Sequence, residues 1–400
     1  MWEQIRSNRI RSLVLVVGMG LLLLLLGYFL GLAFAESGTA GLAIALVIWV
    51  VMGLVGYFQG DSILLTMARA KKIGRDDHPR LYNIVEEMKI ASGLSKMPDV
   101  YIIDDPALNA FATGRNPEKA SVAITSGLLQ KLNRDELQGV IAHEISHVKN
   151  RDVLLMAMAS VMLGTIVILA WYVSRIMIFG GAGGSRRSSS GGGQAQAIIL
   201  IVAFALMILA PIFAYLIYFA ISRKREYLAD ASAALYTRYP DGLASALEKL
   251  GASTGQLKTA NQATAPMYII NPFRKKGRAA TDLSSTHPPI SERIRILRSM
   301  AGGASLTDYN NAYQQVHRGG GTIIPASALA MSAASYKAVT PEVKPKEPDK
   351  LTRTRETTDL MWKLGNYRQI GCDCGAKLRI PPRFKDRQVK CPHCGRVHRL

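Results

Sequence analysis

Two histidines stand four residues apart with a glutamate beside the first, in His143-Glu144-Ile145-Ser146-His147. On a helix that spacing turns both imidazoles to one face, where they can grip a single divalent cation, and it sets Glu144 beside them to take a proton from an attacking water. A zinc ion used for hydrolysis normally has three protein ligands and one open position, so a third donor must come from another element. REYLAD offers Glu226, and Asp230 follows four residues later on the same helical face, placed to accept the outer N–H of His143. Taken alone, an acidic pair at this spacing is ordinarily a solvated helix face. A second constellation lies near the C-terminus: Cys372 and Cys374 in CDCG and Cys391 and Cys394 in CPHCG are the only cysteines in the chain. In a reducing compartment, four thiolates in two tight pairs suit a tetrahedral structural zinc. The first pair departs from the usual C-x-x-C spacing, and His393 or His398 is an alternative fourth ligand.

The elements that would hold these groups are set by an apolar chain. Of its 400 residues, 49% are hydrophobic, and they concentrate in four runs free of Lys, Arg, Asp and Glu, about 13–35, 40–58, 153–173 and 197–221. Each is long enough to cross a hydrocarbon core of about 30 Å. His147 precedes the third run by six residues and Glu226 follows the fourth by five. At 1.5 Å per residue, both then sit about 8–9 Å outside the same membrane face. A membrane hairpin would thus bring the two ligand helices to one level.

Basic residues flank the runs asymmetrically. Arg6, Arg9 and Arg11 precede the first; Arg69, Lys71, Lys72 and Arg75 follow the second; Lys149 and Arg151 precede the third; Arg223, Lys224 and Arg225 follow the fourth. The positive-inside rule then places both termini and the large segments in the cytoplasm of a multi-pass protein of the plasma (inner) membrane. The Gly/Ser-rich stretch 180–194 becomes an external hairpin tip. The N-terminus imitates a secretory signal ending in AFA, but its apolar run is too long and a second run follows at once. The formal charge is +20, and residues 350–400 hold 13 Lys plus Arg against 4 Asp plus Glu. Anionic headgroups are the first explanation of that surplus. Nucleic acid is disfavoured, because only Trp362, Tyr367 and Phe384 offer stacking surfaces in the tail.

Between the runs the periodicity predicts an α+β soluble part. The segment 62–94 reads as an amphipathic helix pair or bent helix, 99–105 and 120–127 as extended, and NAFATGRNPEK between them as turns. A helix opens at Asn133, a good cap, with Asp135 and Glu136 at its positive end. Further helices follow from SRKREYLADASAAL, GLASALEKLGAS and PPISERIRILRSM. The region 302–353 reads as a loose linker and 354–400 as a small zinc ribbon too short to bury much core.

The motifs NAFATG, SVAITSGLL, DELQGVIAHEISHVKNRD, SRKREYLADASAAL, MYIINPF and THPPISERIRIL occur in the order seen in the HtpX-type membrane zinc metalloproteases, relatives of the type I CAAX prenyl proteases, and the chain resembles them over residues 1–300. The resemblance implies a gluzincin-like fold, with His143, His147 and Glu226 on a catalytic Zn2+ and Glu144 as general base. It implies cleavage of damaged or misassembled membrane proteins at the cytoplasmic face. It also implies that Asn109, Ala110, Phe111, Ala112, Thr113 and Gly114, with the following edge strand, bind substrate backbone. His287 and Arg293 fall on its HP-and-Arg motif. His287 is then either an oxyanion donor or merely part of a helix cap, and Arg293 binds either substrate or a structural carboxylate. The C-terminal ribbon lies outside the resemblance. Two rival functions stay open: a catalytically silent membrane adaptor, and a membrane-tethered nucleic-acid binder.

Overall fold

The computed structural model of the chain describes residues 2–179, 193–220, 223–259, 265–270, 272, 287–300, 302–319, 321–331, 347–384, 386 and 388–400. Two long helices, α1 (Trp2–Ala35) and α2 (Gly38–Met67), open the chain as an antiparallel hairpin. Ser37 caps α2 by accepting from the Ala40 N–H at 3.2 Å. The hairpin closes tightly because Gly41 faces Gly27: a Cβ on Gly41 would lie 2.2 Å from the Gly27 carbonyl oxygen. The soluble part follows with β1 (Lys71–Ile73), α3 (Pro79–Ser92), β2 (Asp99–Ile103), β3 (Ala110–Gly114), β4 (Ala120–Thr125), α4 (Ser126–Lys131) and α5 (Arg134–Lys149). A second helical hairpin, α6 (Asp152–Phe179) and α7 (Gly193–Ala220), interrupts it, and α8 (Arg223–Thr237), α9 (Pro240–Ala252) and α10 (Ile290–Arg298) resume it. Then come α11 (Leu306–Val316), α12 (Ala326–Met331), α13 (Lys350–Leu364) and four short strands, β5 (Arg368–Gly371), β6 (Lys377–Ile380), β7 (Gln388–Lys390) and β8 (Val397–Arg399).

Among the described residues, three helical segments are long and apolar enough to cross a membrane: Val16–Ala35, Gly38–Met67 and Asp152–Tyr172. The fourth expected span contributes a shorter apolar segment, Ile198–Ala214, within α7. Outward-facing Ile44, Val47, Leu54, Ile168 and Ile201 are exposed, an apolar belt that water would not tolerate and lipid would. The hairpin tip expected over 180–194 falls almost wholly outside the described residues.

The soluble core is a four-stranded sheet ordered β1-β2-β4-β3, in which β2 and β4 run parallel and the outer pairs antiparallel. Helix α5 packs against α3, α8, α9 and the β3 end of this sheet. Its apolar stripe, Leu137, Val140, Ile141 and Val148, is fully buried, as its spacing requires. Gly139 lets α9 come close: a Cβ there would lie 2.7 Å from the Leu243 amide nitrogen.

Four expectations are corrected. Residues 110–114 are not a turn but the buried strand β3, ended by Gly114 at φ +140°, where a Cβ would meet the Lys119 carbonyl at 2.4 Å. The edge of the sheet is therefore β3 itself, while Ala120–Thr125 is internal. The segment 62–94 is not a helix pair: Ser62–Met67 prolongs α2, Arg69 turns left-handed at φ 53°, and β1 precedes α3. The region 302–353 is not a loose linker throughout, since α11 and α12 bury Tyr309, Ala312 and Ala328 against the main core. The residues 332–346 lie outside the described part.

The C-terminal arm is seated on the far side of the sheet from β3. Leu360 of α13 is buried in the main core, Lys71 Nζ donates to the Leu364 carbonyl at 2.8 Å, and Lys363 pairs with Asp77.

Candidate active site

The site is assembled at the end of α5, where the helix meets α6 and α8. A capping box starts α5 firmly: Glu136 N–H donates to Asn133 Oδ1 at 2.8 Å and Asn133 N–H to Glu136 Oε2 at 2.9 Å. Three turns later His143 and His147 share one face, their Nε2 atoms 3.3 Å apart. Glu226, in the first turn of α8, brings Oε2 to 3.5 Å from His143 Nε2 and Oε1 to 3.5 Å from His147 Nε2. These spacings are what a tetrahedral ion imposes, since bonds of about 2.0–2.1 Å place neighbouring ligand atoms about 3.3–3.4 Å apart.

The outer nitrogens are held as well. His143 Nδ1 lies 2.9 Å from Asp230 Oδ1, and His147 Nδ1 lies 3.1 Å from Asp152 Oδ2 at the start of α6. With each Nδ1–H donated to a carboxylate, both Nε2 lone pairs face Glu226. Arg293, fully buried, clamps Asp230 through Nε–Oδ2 at 2.8 Å and Nη2–Oδ1 at 2.7 Å, and its Nη1 donates to the Ile269 carbonyl at 3.3 Å. His287 Nε2 stands 3.7 Å from Glu226 Oε2. The whole group is shut away from solvent: exposure is 0% at His143, 1% at Glu144, 6% at His147 and 3% at Glu226.

The electrostatics favour a bound cation. Burial alone would discharge His143, but the carboxylates of Asp230 and Glu226 outweigh it and push the imidazole up to about 9, so a cation on Nε2 would take the place of a proton there. Burial likewise opposes ionisation of Glu226, yet the His143 and His147 imidazoles hold its carboxyl well below the usual range. Asp230 is lowered against its burial chiefly by Arg293. Four carboxylates (Glu144, Asp152, Glu226 and Asp230) stand among three imidazoles (His143, His147 and His287) and one guanidinium. Glu226 Oε2 is buried without a hydrogen-bond donor, so a divalent ion fits the place geometrically and by charge. Burial raises the Glu144 carboxyl above the ordinary range, against the pull of the two histidines and of a hydrogen bond from the Ala112 backbone on β3. That is the direction a general base needs. Burial pushes His287 down to about 4, leaving it neutral.

The structure therefore brings His143, Glu144, His147, Glu226, Asp230, His287 and Arg293 together, with β3 alongside. Arg293 is committed to the carboxylate of Asp230 and is inaccessible from solvent, which favours the structural of its two expected roles. Sequence reasoning missed Asp152, although a carboxylate five residues beyond His147, at the first turn of the next helix, was the available signal. It also missed Ile269, whose backbone contact leaves no mark in residue types.

The four sulfurs form a separate cluster in the C-terminal arm. Cys372 and Cys394 Sγ are 3.5 Å apart, Cys374 and Cys391 Sγ are 3.7 Å apart, and all four lie within 4.8 Å of one another. None is disulfide-bonded, and neither His393 nor His398 belongs to the group.

A metal-ready His-Glu-x-x-His helix completed by a glutamate from a second helix, on an edge-stranded sheet, defines a metalloprotease. The sequence profile of Peptidase family M48 matches residues 75–301, more than half of the chain, and the chain belongs to that family. Proteins described as "Protease HtpX homolog" are similar to it. That of Dictyoglomus turgidum is 44% identical over 299 residues, 75% of this chain and 94% of its own length. That of Streptococcus pneumoniae is 43% identical over 301 residues, 75% of this chain and 100% of its own. The crystal structure of S. mikatae Ste24p aligns with a TM-score of 0.40 at 22% identity, over 74% of this chain and 67% of that one.

Proposed function

We propose that this metalloprotease is a four-span zinc endopeptidase of the plasma (inner) membrane, its site on the cytoplasmic side, cleaving damaged or misassembled membrane proteins. The observation that carries the reading is the spacing of 3.3, 3.5 and 3.5 Å among the His143, His147 and Glu226 donor atoms. The basic flanks support the orientation. The site stands at the foot of α6 and α7, which suits substrates emerging from a bilayer. Zinc held by these three residues supplies Lewis acidity, drawing the pKa of an attacking water toward about 7 and polarising the scissile carbonyl. Glu144 takes the water proton as the oxygen bonds to the carbonyl carbon, then passes it to the amine as the C–N bond breaks. Asp230 and Asp152 fix the imidazole tautomers. Neutral His287 can donate one hydrogen bond to the oxyanion. Residues 109–114 offer an edge to which an extended peptide adds.

The same reading includes a structural zinc on Cys372, Cys374, Cys391 and Cys394. Zinc–sulfur bonds of about 2.3 Å space tetrahedral thiolates about 3.8 Å apart, close to the 3.5 and 3.7 Å observed. Backbone hydrogen bonds from Cys394 and His393 draw the Cys391 thiol down to about 6, while Cys374 and Cys394 are raised, so the first thiolate of the cluster forms at Cys391 and the others await a cation. Among the described residues, the arm's own buried cluster contains only Cys372, Leu378 and Cys391, so the ion would be its main source of stability. Exposed Arg368, Lys377, Arg383, Lys390 and Arg399 suit anionic headgroups.

Glu144→Gln tests the enzyme. In detergent with added zinc, the variant should hold as much metal at the His-His-Glu site as the wild type and lose cleavage of a membrane-protein substrate and of itself. Equal proteolysis by the two proteins would end the assignment.

A further inference from the structure

The turn that follows β3 leans on the membrane helix α2. Arg115 holds its guanidinium carbon 5.3 Å from the centroid of the Tyr57 ring and 5.5 Å from that of Phe58. The two rings stand almost at right angles, 4.9 Å apart at 87°, so the cation rests in an aromatic corner. Such a seat engages the flat face of a guanidinium and leaves its rim of N–H donors free. Among the described residues, no carboxylate or carbonyl accepts from Arg115. Asp61, the first charged residue of α2, is turned to the Ser62 N–H at 2.9 Å. Within the turn itself Glu118 and Lys119 are both exposed and offset each other, so the charge of Arg115 stands unbalanced.

Helix α2 sets the level of this corner. From Gly38 to Phe58 it rises about 30 Å, the thickness of a hydrocarbon core, without a charged residue. Its outward apolar side chains run from Leu42 to Phe58, where the polar Gln59 and Asp61 interrupt them. Tyr57 and Phe58 are 40% and 56% exposed, and they close the lipid-facing belt as aromatic residues do at a bilayer boundary. Arg115 is therefore at the depth of the phosphate layer, with its donors free and no counter-ion of its own.

We infer that Arg115, seated on Tyr57 and Phe58, is a binding site for the phosphate of a membrane phospholipid, on the side of the bilayer that carries the metal site. A phosphodiester offers two unesterified oxygens to the planar fork of the guanidinium. Anionic glycerophospholipids are preferred over zwitterionic ones, because a zwitterionic headgroup already pairs its phosphate with its own cation. The consequence for catalysis rests on the peptidase reading. Ala112, whose backbone bonds Glu144, precedes Arg115 by three residues, about 10 Å along a strand. The lipid contact thus fixes how far the general base stands from the headgroups, and the substrate segments within reach are those next to a membrane span.

The test uses the full-length protein in phosphatidylcholine nanodiscs doped with phosphatidylglycerol that carries a photo-crosslinker near its glycerol. Labelling should map to the turn 115–119. In Arg115→Gln it should half-saturate at about a fivefold higher phosphatidylglycerol fraction, the worth of one arginine at an anionic surface. The double variant Tyr57→Leu, Phe58→Leu keeps the apolar belt, removes the ring faces and should show the same direction of change. Millimolar inorganic phosphate should leave the labelling as it is. Equal labelling of the turn in wild type and Arg115→Gln, no labelling there in either, or equal labelling by a phosphatidylcholine probe would overturn the inference; displacement by inorganic phosphate would replace the lipid with the free ion. These measurements need no proteolysis, so their failure is distinct from failure of the enzyme assignment, which Glu144→Gln decides.

Discussion

Replacing Arg293 by methionine keeps the aliphatic stem and removes the guanidinium fork. In the wild type that fork meets both oxygens of Asp230 at 2.7 and 2.8 Å, with both residues at 0% exposure. The variant leaves a buried carboxylate whose remaining partner is His143. Breaking one side of a buried ion pair costs about 3–5 kcal/mol. At about 2–4 °C per kcal/mol for a domain of this size, the apparent melting temperature should fall by about 6–20 °C. Asp230→Leu combined with Arg293→Met removes both charges and should recover most of that loss. Its zinc affinity should stay about 10–100-fold below wild type, because His143 has lost the carboxylate that orients it. Thermal scans in detergent, with saturating zinc and with chelator, separate the two effects. A single variant melting within about 2 °C of wild type, or a double variant no better than the single, would refute the view that Arg293 is there to neutralise Asp230.

Two further outcomes are expected. His78 Nδ1 accepts the Leu81 N–H at the start of α3, and burial pushes its pKa down to about 4. Its folded value lies below the unfolded value of about 6.5, so its contribution, at most about 3 kcal/mol, is complete above pH 6.5 and lost as pH falls toward 4. His78→Asn keeps a capping acceptor and should lose less stability than wild type between pH 6.5 and 4.5; parallel losses would remove His78 as the cause. For the arm, metal analysis should count two zinc ions per wild-type chain and one for Cys372→Ser, with Glu144-dependent proteolysis retained; two ions in the variant would exclude the cysteines as ligands.

What was readable beforehand is what period and charge encode. Three apolar helices long enough to cross a membrane followed from uncharged runs, and α5 and α8 from the helical spacing around HEISH and REYLAD. The meeting of His143 with Asp230 followed from an i,i+4 pair placed opposite a histidine. Strand β3 was misread because Asn109 and Gly114 bracket it like turn residues, and its alternation vanishes when both faces are buried. Strand β1 is only three residues, Lys71–Ile73, and takes its form from pairing with β2. The helix α11 hides behind Thr, Asp, Asn and Gln; its buried apolar residues Leu306, Tyr309 and Ala312 are few, and their packing against the core decides. The Arg293–Asp230 clamp joins residues 63 apart, and no local pattern announces such a pair.

The joint between α5 and α6 couples two things usually treated apart. Asn150 closes α5, Arg151 turns left-handed at φ 60°, and Asp152 begins α6 with its carboxylate on His147. Each helical residue advances about 100°. Adding or deleting one residue at this bend would rotate the whole span like a shaft, swinging Asp152 off the imidazole and presenting a different flank to the bilayer. The lipid-facing surface is free to drift in composition, but its angular phase is locked to the orientation of a ligand ring, and the length of that two-residue joint is fixed by both.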